Sequence, residues 1–114
     1  MISNKINHNK AYIEKKLEQL HNAENNIIIK DRDEETGKKP ENFFLEVGID
    51  YSDAISIIKN LSYEDYQYTQ LDKIKSYVFM YVFNKNVNCK IAYIKIGFVK
   101  DKTIVISFHE KMYD

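Results

Sequence analysis

The chain has 114 residues and 13.6 kDa, the size of one domain, so a single domain over 1–114 is expected. With 44% hydrophobic residues, nine Tyr and six Phe it supports a core, which excludes a disordered tail; one Pro and three Gly exclude a collagen-like chain. Seventeen Lys and Arg balance seventeen Asp and Glu, which excludes a globally basic nucleic-acid binder but not a local basic face. The single cysteine, Cys89, argues against a disulfide-stapled secreted scaffold. No apolar run is long enough to span a membrane, and MISNKINHNK has no apolar leader core, so the cytoplasm is expected, with no membrane partner.

Residues 5–23 carry Ile6, Ile13, Leu17 and Leu20 at helical spacing, which predicts an amphipathic helix. Ile27-Ile28-Ile29 predicts a brief strand. Residues 31–42 (DRDEETGKKPEN) read as an exposed loop, four of the first five being acids and Arg32 the fifth. FFLEV at 43–47 predicts a short helix ended by Gly48. Ser52 is the expected N-cap of a helix to about Asn60, buried through Ile55, Ile58 and Leu61. Ser62 and Asp65 form a capping-box-like start of another short helix.

From Tyr77 the apolar period becomes two, predicting strands at about 76–83, 90–99 and 103–109 joined by NKNVN and KDK. The expectation is an α+β domain: a small antiparallel meander, with the short strand near 27–30 as an addition, and helices packed on one face.

Alternation assigns Ala92, Ile94, Ile96 and Phe98 to the core face of the second meander strand, and Ile104, Ile106 and Phe108 to that of the third. A three-residue KDK loop then sets Tyr93 opposite His109, Ile94 opposite Phe108, Lys95 opposite Ser107 and Ile96 opposite Ile106. For the first meander strand, Val78, Met80 and Val82 match the core side. A turn centred on Val87 pairs Val82 with Ala92, Met80 with Ile94, Tyr81 with Tyr93 and Phe79 with Lys95. The open face then carries a row, Tyr81–Tyr93–His109, with Lys95 and Ser107 beside it.

An imidazole, phenols and an ammonium are the functions that RNA cleavage without a metal requires. A base takes the 2′-hydroxyl proton, an acid protonates the leaving 5′-oxygen, and a cation stabilises the phosphorane. The substrate supplies the nucleophile, so no Ser or Cys is needed. The plainer reading of the same residues is a sheet surface stabilised by cross-strand aromatic pairs.

Residues 47–67, VGIDYSDAISIIKNLSYEDYQ, and 90–111, KIAYIKIGFVKDKTIVISFHEK, resemble the motility quorum-sensing regulator (MqsR) toxins, mRNA interferases with a RelE-like fold. The matching elements are Gly-Ile-Asp, the apolar helix ending in Leu-Ser, the acidic-Asp-aromatic turn, Tyr-Ile-Lys and Ile-Ser-Phe-His-Glu. The resemblance spans about residues 44–111, with about one inserted residue before Ser107. It implies a toxin of a type II toxin–antitoxin pair that cleaves single-stranded mRNA without a metal or other cofactor and is neutralised by an antitoxin protein. The family's catalytic tyrosine falls on Tyr93, its strand lysine on Lys95, and its C-terminal lysine position on His109. Tyr68 replaces a family lysine and Met80 a family glutamine.

The expected catalytic set is therefore Tyr93, His109 and Lys95. Lys85 is expected to hold phosphate, Tyr81, Tyr66 and Tyr68 to stack on or contact RNA, and Arg32 to make a bidentate phosphate contact. An ion pair with its Asp neighbours is the other reading of Arg32. His8, His21 and His109 are far apart in sequence, and no Cys–His spacing suggests zinc. The expected partners are mRNA and an antitoxin, and a homodimer is left open. The alternative is a non-catalytic RNA- or protein-binding regulator on the same fold, which the Met80 and Tyr68 departures favour. Activity confined to ribosome-bound mRNA is a third reading.

Overall fold

The computed structural model describes residues 5–22, 26–71 and 79–112. In chain order these form β1 (Lys5–Ile6), α1 (Lys10–His21), β2 (Ile27–Ile29), α2 (Pro40–Val47), α3 (Tyr51–Lys59), a 3₁₀ turn (Tyr63–Asp65), β3 (Tyr66–Leu71), β4 (Phe79–Val87), β5 (Lys90–Val99) and β6 (Lys102–Glu110). The strands make one sheet in the order β1-β3-β4-β5-β6-β2. β2 runs parallel to β6, and the other described pairs are antiparallel. The expected α+β class holds, with the meander formed by β4, β5 and β6. Strands β1 and β3 extend it beyond expectation. Ala23, the expected end of the first helix, and residues 76–78, the expected start of the first meander strand with Val78 on its core side, lie outside the described residues.

Local chemistry sets the helix limits. The Asn9 side chain accepts the Tyr12 N–H at 2.9 Å, so α1 starts at Lys10 rather than residue 5. Lys5 and Ile6 are thereby free to pair with Gln70 and Thr69. Ile13, Leu17 and Leu20 are buried, as their spacing requires. α2 begins at Pro40, whose missing N–H is no loss at a first helical position. It ends at Gly48, which takes φ 75°, the left-handed conformation that closes a helix. Asp50, not Ser52, caps α3: its carboxylate accepts the Asp53 N–H at 2.8 Å, and Asp53 accepts the Asp50 N–H at 3.0 Å. Ala54 and Ile58 are the buried residues of that helix, Leu61 is buried just beyond it, and Ile55 is half-buried. The Ser62–Asp65 box is present, Asp65 accepting the Ser62 N–H at 2.9 Å, and it opens a single 3₁₀ turn.

The β4–β5 turn decides which face each β4 side chain takes. It is a two-residue turn at Asn88 and Cys89, both at positive φ (48° and 73°), the backbone of a tight hairpin. Val87 is therefore the last strand residue, paired with Lys90, and not the centre of the turn. The register moves by three positions, an odd number, so every β4 side chain changes side. Tyr81 pairs with Ile96 and Phe83 with Ile94, both on the helix face, while Met80 pairs with Gly97 and Val82 with Lys95 on the opposite one.

The β5–β6 turn also has two residues, Lys100 and Asp101, one fewer than expected. A bulge at Ile106 restores the count. Ile96 pairs with Val105 instead of Ile106, yet Lys95–Ser107, Ile94–Phe108 and Tyr93–His109 stand as expected. The bulge puts Val105 in the core in place of Ile104 and Ile106. That core lies between the sheet and the helices, with Ile13, Phe44 and Ile58 against Phe83, Ile94 and Phe108.

Candidate functional site

The sheet face away from the helices carries the row that alternation predicts on β5 and β6. The Tyr93 and His109 rings stack with centroids 5.2 Å apart and planes 19° apart. Lys95 Nζ lies 5.9 Å from the Tyr93 ring centroid. On the β4 side the opposite residues are Asn84 and Val82, so Tyr81 and Phe79 do not join the row. Tyr68, opposite Val82, does join it, and its side chain hydrogen-bonds that of Tyr93. Asn84, opposite Tyr93, keeps its side-chain oxygen buried without a hydrogen-bond partner among the described residues.

The row is not an open surface. His109 is 6% exposed, Lys95 5% and Ser107 0%. The cover is the acidic turn after β2, read from sequence as an exposed loop. Asp33 in this turn is 3% exposed. Its Oδ1 accepts the backbone N–H groups of Glu35 at 2.8 Å and Thr36 at 3.3 Å, which holds the turn. Its Oδ2 accepts the Ser107 hydroxyl at 2.5 Å and faces His109 Nε2 at 3.3 Å. Glu35, more than half exposed, sets its carboxylate 4.0 Å from Lys95 Nζ.

Sequence reading missed Asp33 and Glu35. No local sequence signal marked them, because the parallel pairing of β2 with β6 is what places them. Ile27 opposes Thr103, an offset of 76, and the same offset carries Asp33 to His109.

Electrostatics follow from these contacts. Burial pushes the Tyr93 phenol above its ordinary range, aided by the Tyr68 hydrogen bond and the charges of Glu35 and Asp33, so Tyr93 is a neutral phenol at pH 7. Burial works to raise the Asp33 carboxyl. The Ser107 hydroxyl, the Glu35 and Thr36 N–H groups and the Lys95 charge outweigh it and hold Asp33 below the usual carboxylate value. The second His109 nitrogen, Nδ1, faces the Glu110 carbonyl oxygen at 2.9 Å. Because Asp33 Oδ2 already receives the Ser107 proton, no Ser–His bond exists to make Ser107 a nucleophile.

A cavity of about 190 Å³ reaches His109 from the α2 side and is lined by Lys38, Lys39, Asn42, Glu46 and Glu110 among others. Among the described residues no three His, Cys, Asp or Glu side chains are grouped to hold a metal ion.

The other expected contacts lie elsewhere. Lys85 pairs across the sheet with Ala92, on the helix side, and its ammonium is 3.4 Å from Asp65. Tyr66 hydrogen-bonds Thr69 at 2.6 Å and stacks near Tyr63. Tyr81 is 3% exposed, and its hydroxyl meets that of Tyr12 at 3.1 Å. Arg32 is exposed and makes no ion pair among the described residues.

Fold and site together describe a small α+β protein whose sheet presents a phenol, an imidazole and an ammonium side by side beneath an acidic turn. The chain belongs to the family described as motility quorum-sensing regulator, toxin of MqsA, which matches residues 9–110. It is thereby a toxin of a toxin–antitoxin pair, with an antitoxin as partner. A search of curated proteins finds no match. Among the described residues no helix is long and apolar enough to cross a membrane.

Proposed function

We propose that this toxin is an endoribonuclease that cuts single-stranded mRNA without a metal. The substrate 2′-oxygen attacks the adjacent phosphorus and the bond to the 5′-oxygen breaks. The products are a 2′,3′-cyclic phosphate and a 5′-hydroxyl. The observation that carries this reading is the Tyr93–His109 stack at 5.2 Å with Lys95 beside it. His109 and Tyr93 are the proton-handling and hydrogen-bonding groups, Lys95 stabilises the phosphorane, and Tyr68 contacts RNA from the edge of the row.

The test is cleavage of a long mRNA by the purified protein in EDTA, with mapping of product ends. Tyr93→Phe and His109→Ala should each slow it by about 10-fold or more. If both cut like the parent, the site assignment is wrong.

The burial of His109 and Lys95 under the acidic turn favours one other reading, a binder of RNA or protein that does not cleave. RNA retained in a salt-sensitive complex with no product ends supports that reading instead.

A further inference from the structure

We propose that the turn after β2 completes the cleavage site with two carboxylates of different duty: Asp33 holds the proton of His109, and Glu35 receives the proton of the substrate 2′-hydroxyl. The inference rests on the endoribonuclease reading.

Each ring nitrogen of His109 faces an acceptor: Nδ1 the Glu110 carbonyl at 2.9 Å, and Nε2 the Asp33 carboxylate at 3.3 Å. A neutral imidazole has one N–H and satisfies one acceptor; the imidazolium satisfies both. Two acceptors on one ring suit a proton donor, and that is the role assigned to His109. Asp33 can serve this purpose because it is fixed. Its Oδ1 is committed to the turn N–H groups, and its Oδ2 keeps the Ser107 hydroxyl at 2.5 Å when Nε2–H swings to the substrate. Other charged or titratable groups facing His109 are Tyr93 on β5, Lys38, Lys39 and Glu46 across the cavity, and Glu110 on its own strand. None of them is placed on Nε2 as Asp33 is.

The base must then be another group. An ammonium such as that of Lys95 has no lone pair, and the Tyr93 phenol is held by Tyr68. Ser107 is spent on Asp33. Glu46 and Glu110 are both engaged by Lys90, at 3.2 and 3.4 Å, whereas Glu35 lies over the row, 59% exposed and 4.0 Å from Lys95. Proton flow balances as follows. The 2′-hydroxyl proton passes to Glu35 as the 2′-oxygen–phosphorus bond forms. The imidazolium proton passes to the 5′-oxygen as its bond to phosphorus breaks, leaving His109 neutral. Solvent restores both. Glu35 is a catalytic residue in this scheme, and Asp33 a positioning residue.

The experiment compares the parent, Glu35→Gln and Asp33→Asn. Asn retains an oxygen for the turn N–H groups, so the substitution removes charge and not the turn. Cleavage of an oligoribonucleotide is followed against pH, with ¹⁵N spectra of the His109 ring in the free protein. Glu35→Gln should lose the acid-side limb of the kcat profile and about 10-fold or more in kcat, with KM nearly unchanged. Asp33→Asn should shift the alkaline-side limb downward by about one pH unit. The ring spectra should show a proton on Nε2 in the parent at neutral pH that Asp33→Asn loses.

Variants with the parent's two limbs overturn the proposal, as does an Asp33→Asn variant that cleaves faster, since the turn would then be a mask. A parent ring without a proton on Nε2 also overturns it, and this measurement needs no folded variant. A parent that shows the Nε2 proton but cuts no RNA removes the endoribonuclease reading and the Glu35 role, and leaves the Asp33–His109 contact standing.

Discussion

Asp33 and His109 are 76 residues apart in the chain, and their side chains meet at 3.3 Å. The meeting is a consequence of backbone pairing. β2 lies parallel to β6, the Lys30 N–H still reaches the Val105 carbonyl at 3.0 Å, and the acidic turn that follows sets Asp33 on Ser107 and His109 near the end of β6. One local turn, held by the Asp33 carboxylate, thus brings a buried anion to an imidazole that sequence alternation had placed on an open face.

Ser107→Ala removes the hydroxyl that donates to Asp33 Oδ2 at 2.5 Å. Both groups are buried, so the carboxylate is left under-satisfied. Urea unfolding should show a loss of about 1–3 kcal/mol with an unchanged m-value. No loss would mean that water replaces the hydroxyl.

Two groups should shape stability against pH. His8 titrates below its usual 6.5, through burial and then the Lys16 charge. The unfolded chain binds the His8 proton first, so this contribution is present above 6.5 and is lost as pH falls through the lower folded value. Asp33 is likewise held below its usual 3.8, so its contribution is present above 3.8 and disappears as pH falls through its folded value. Unfolding midpoints measured from pH 8 downward should therefore fall in two stages. His8→Gln should flatten the first and Asp33→Asn the second.

Tyr81→Phe tests the face assignment. Its hydroxyl meets Tyr12 at 3.1 Å on the helix side, away from Tyr93. The variant should lose about 0.5–1.5 kcal/mol of stability and keep its RNA cleavage within roughly 3-fold of the parent. Tyr68→Phe, which removes the hydrogen bond to Tyr93, should lower cleavage further than that. The reverse order of the two effects would restore Tyr81 to the site.

Gly48→Ala should cost about 1–2 kcal/mol, because Gly48 ends α2 at φ 75° and a side chain there carries the left-handed penalty. A Cβ at this position meets nothing within 4 Å, so the loss is conformational and not steric. Thermal unfolding of the variant reads it directly.

The sequence by itself determined the buried face of α1, the glycine end of α2 and the β5–β6 pairing from Tyr93–His109 to Lys95–Ser107. Ile13, Leu17 and Leu20 are buried at the spacing that predicts them, and Gly48 ends its helix as glycine does. Tyr93 opposes His109 because hydrophobic alternation on two strands joined by a short turn leaves few registers that keep Ile94 and Phe108 on one side. The tertiary structure decided what no alternation encodes. A two-residue turn at Asn88 and Cys89 moved β4 by an odd number of positions, which exchanged Tyr81 for Asn84 opposite Tyr93. A bulge at Ile106 exchanged Val105 for its neighbours in the core. The parallel pairing of β2 with β6 joins segments more than 70 residues apart, and that contact places Asp33 and Glu35 over the row. Local sequence carries the period of a strand but not its distant partner, because pairing is a free-energy choice made by the whole sheet.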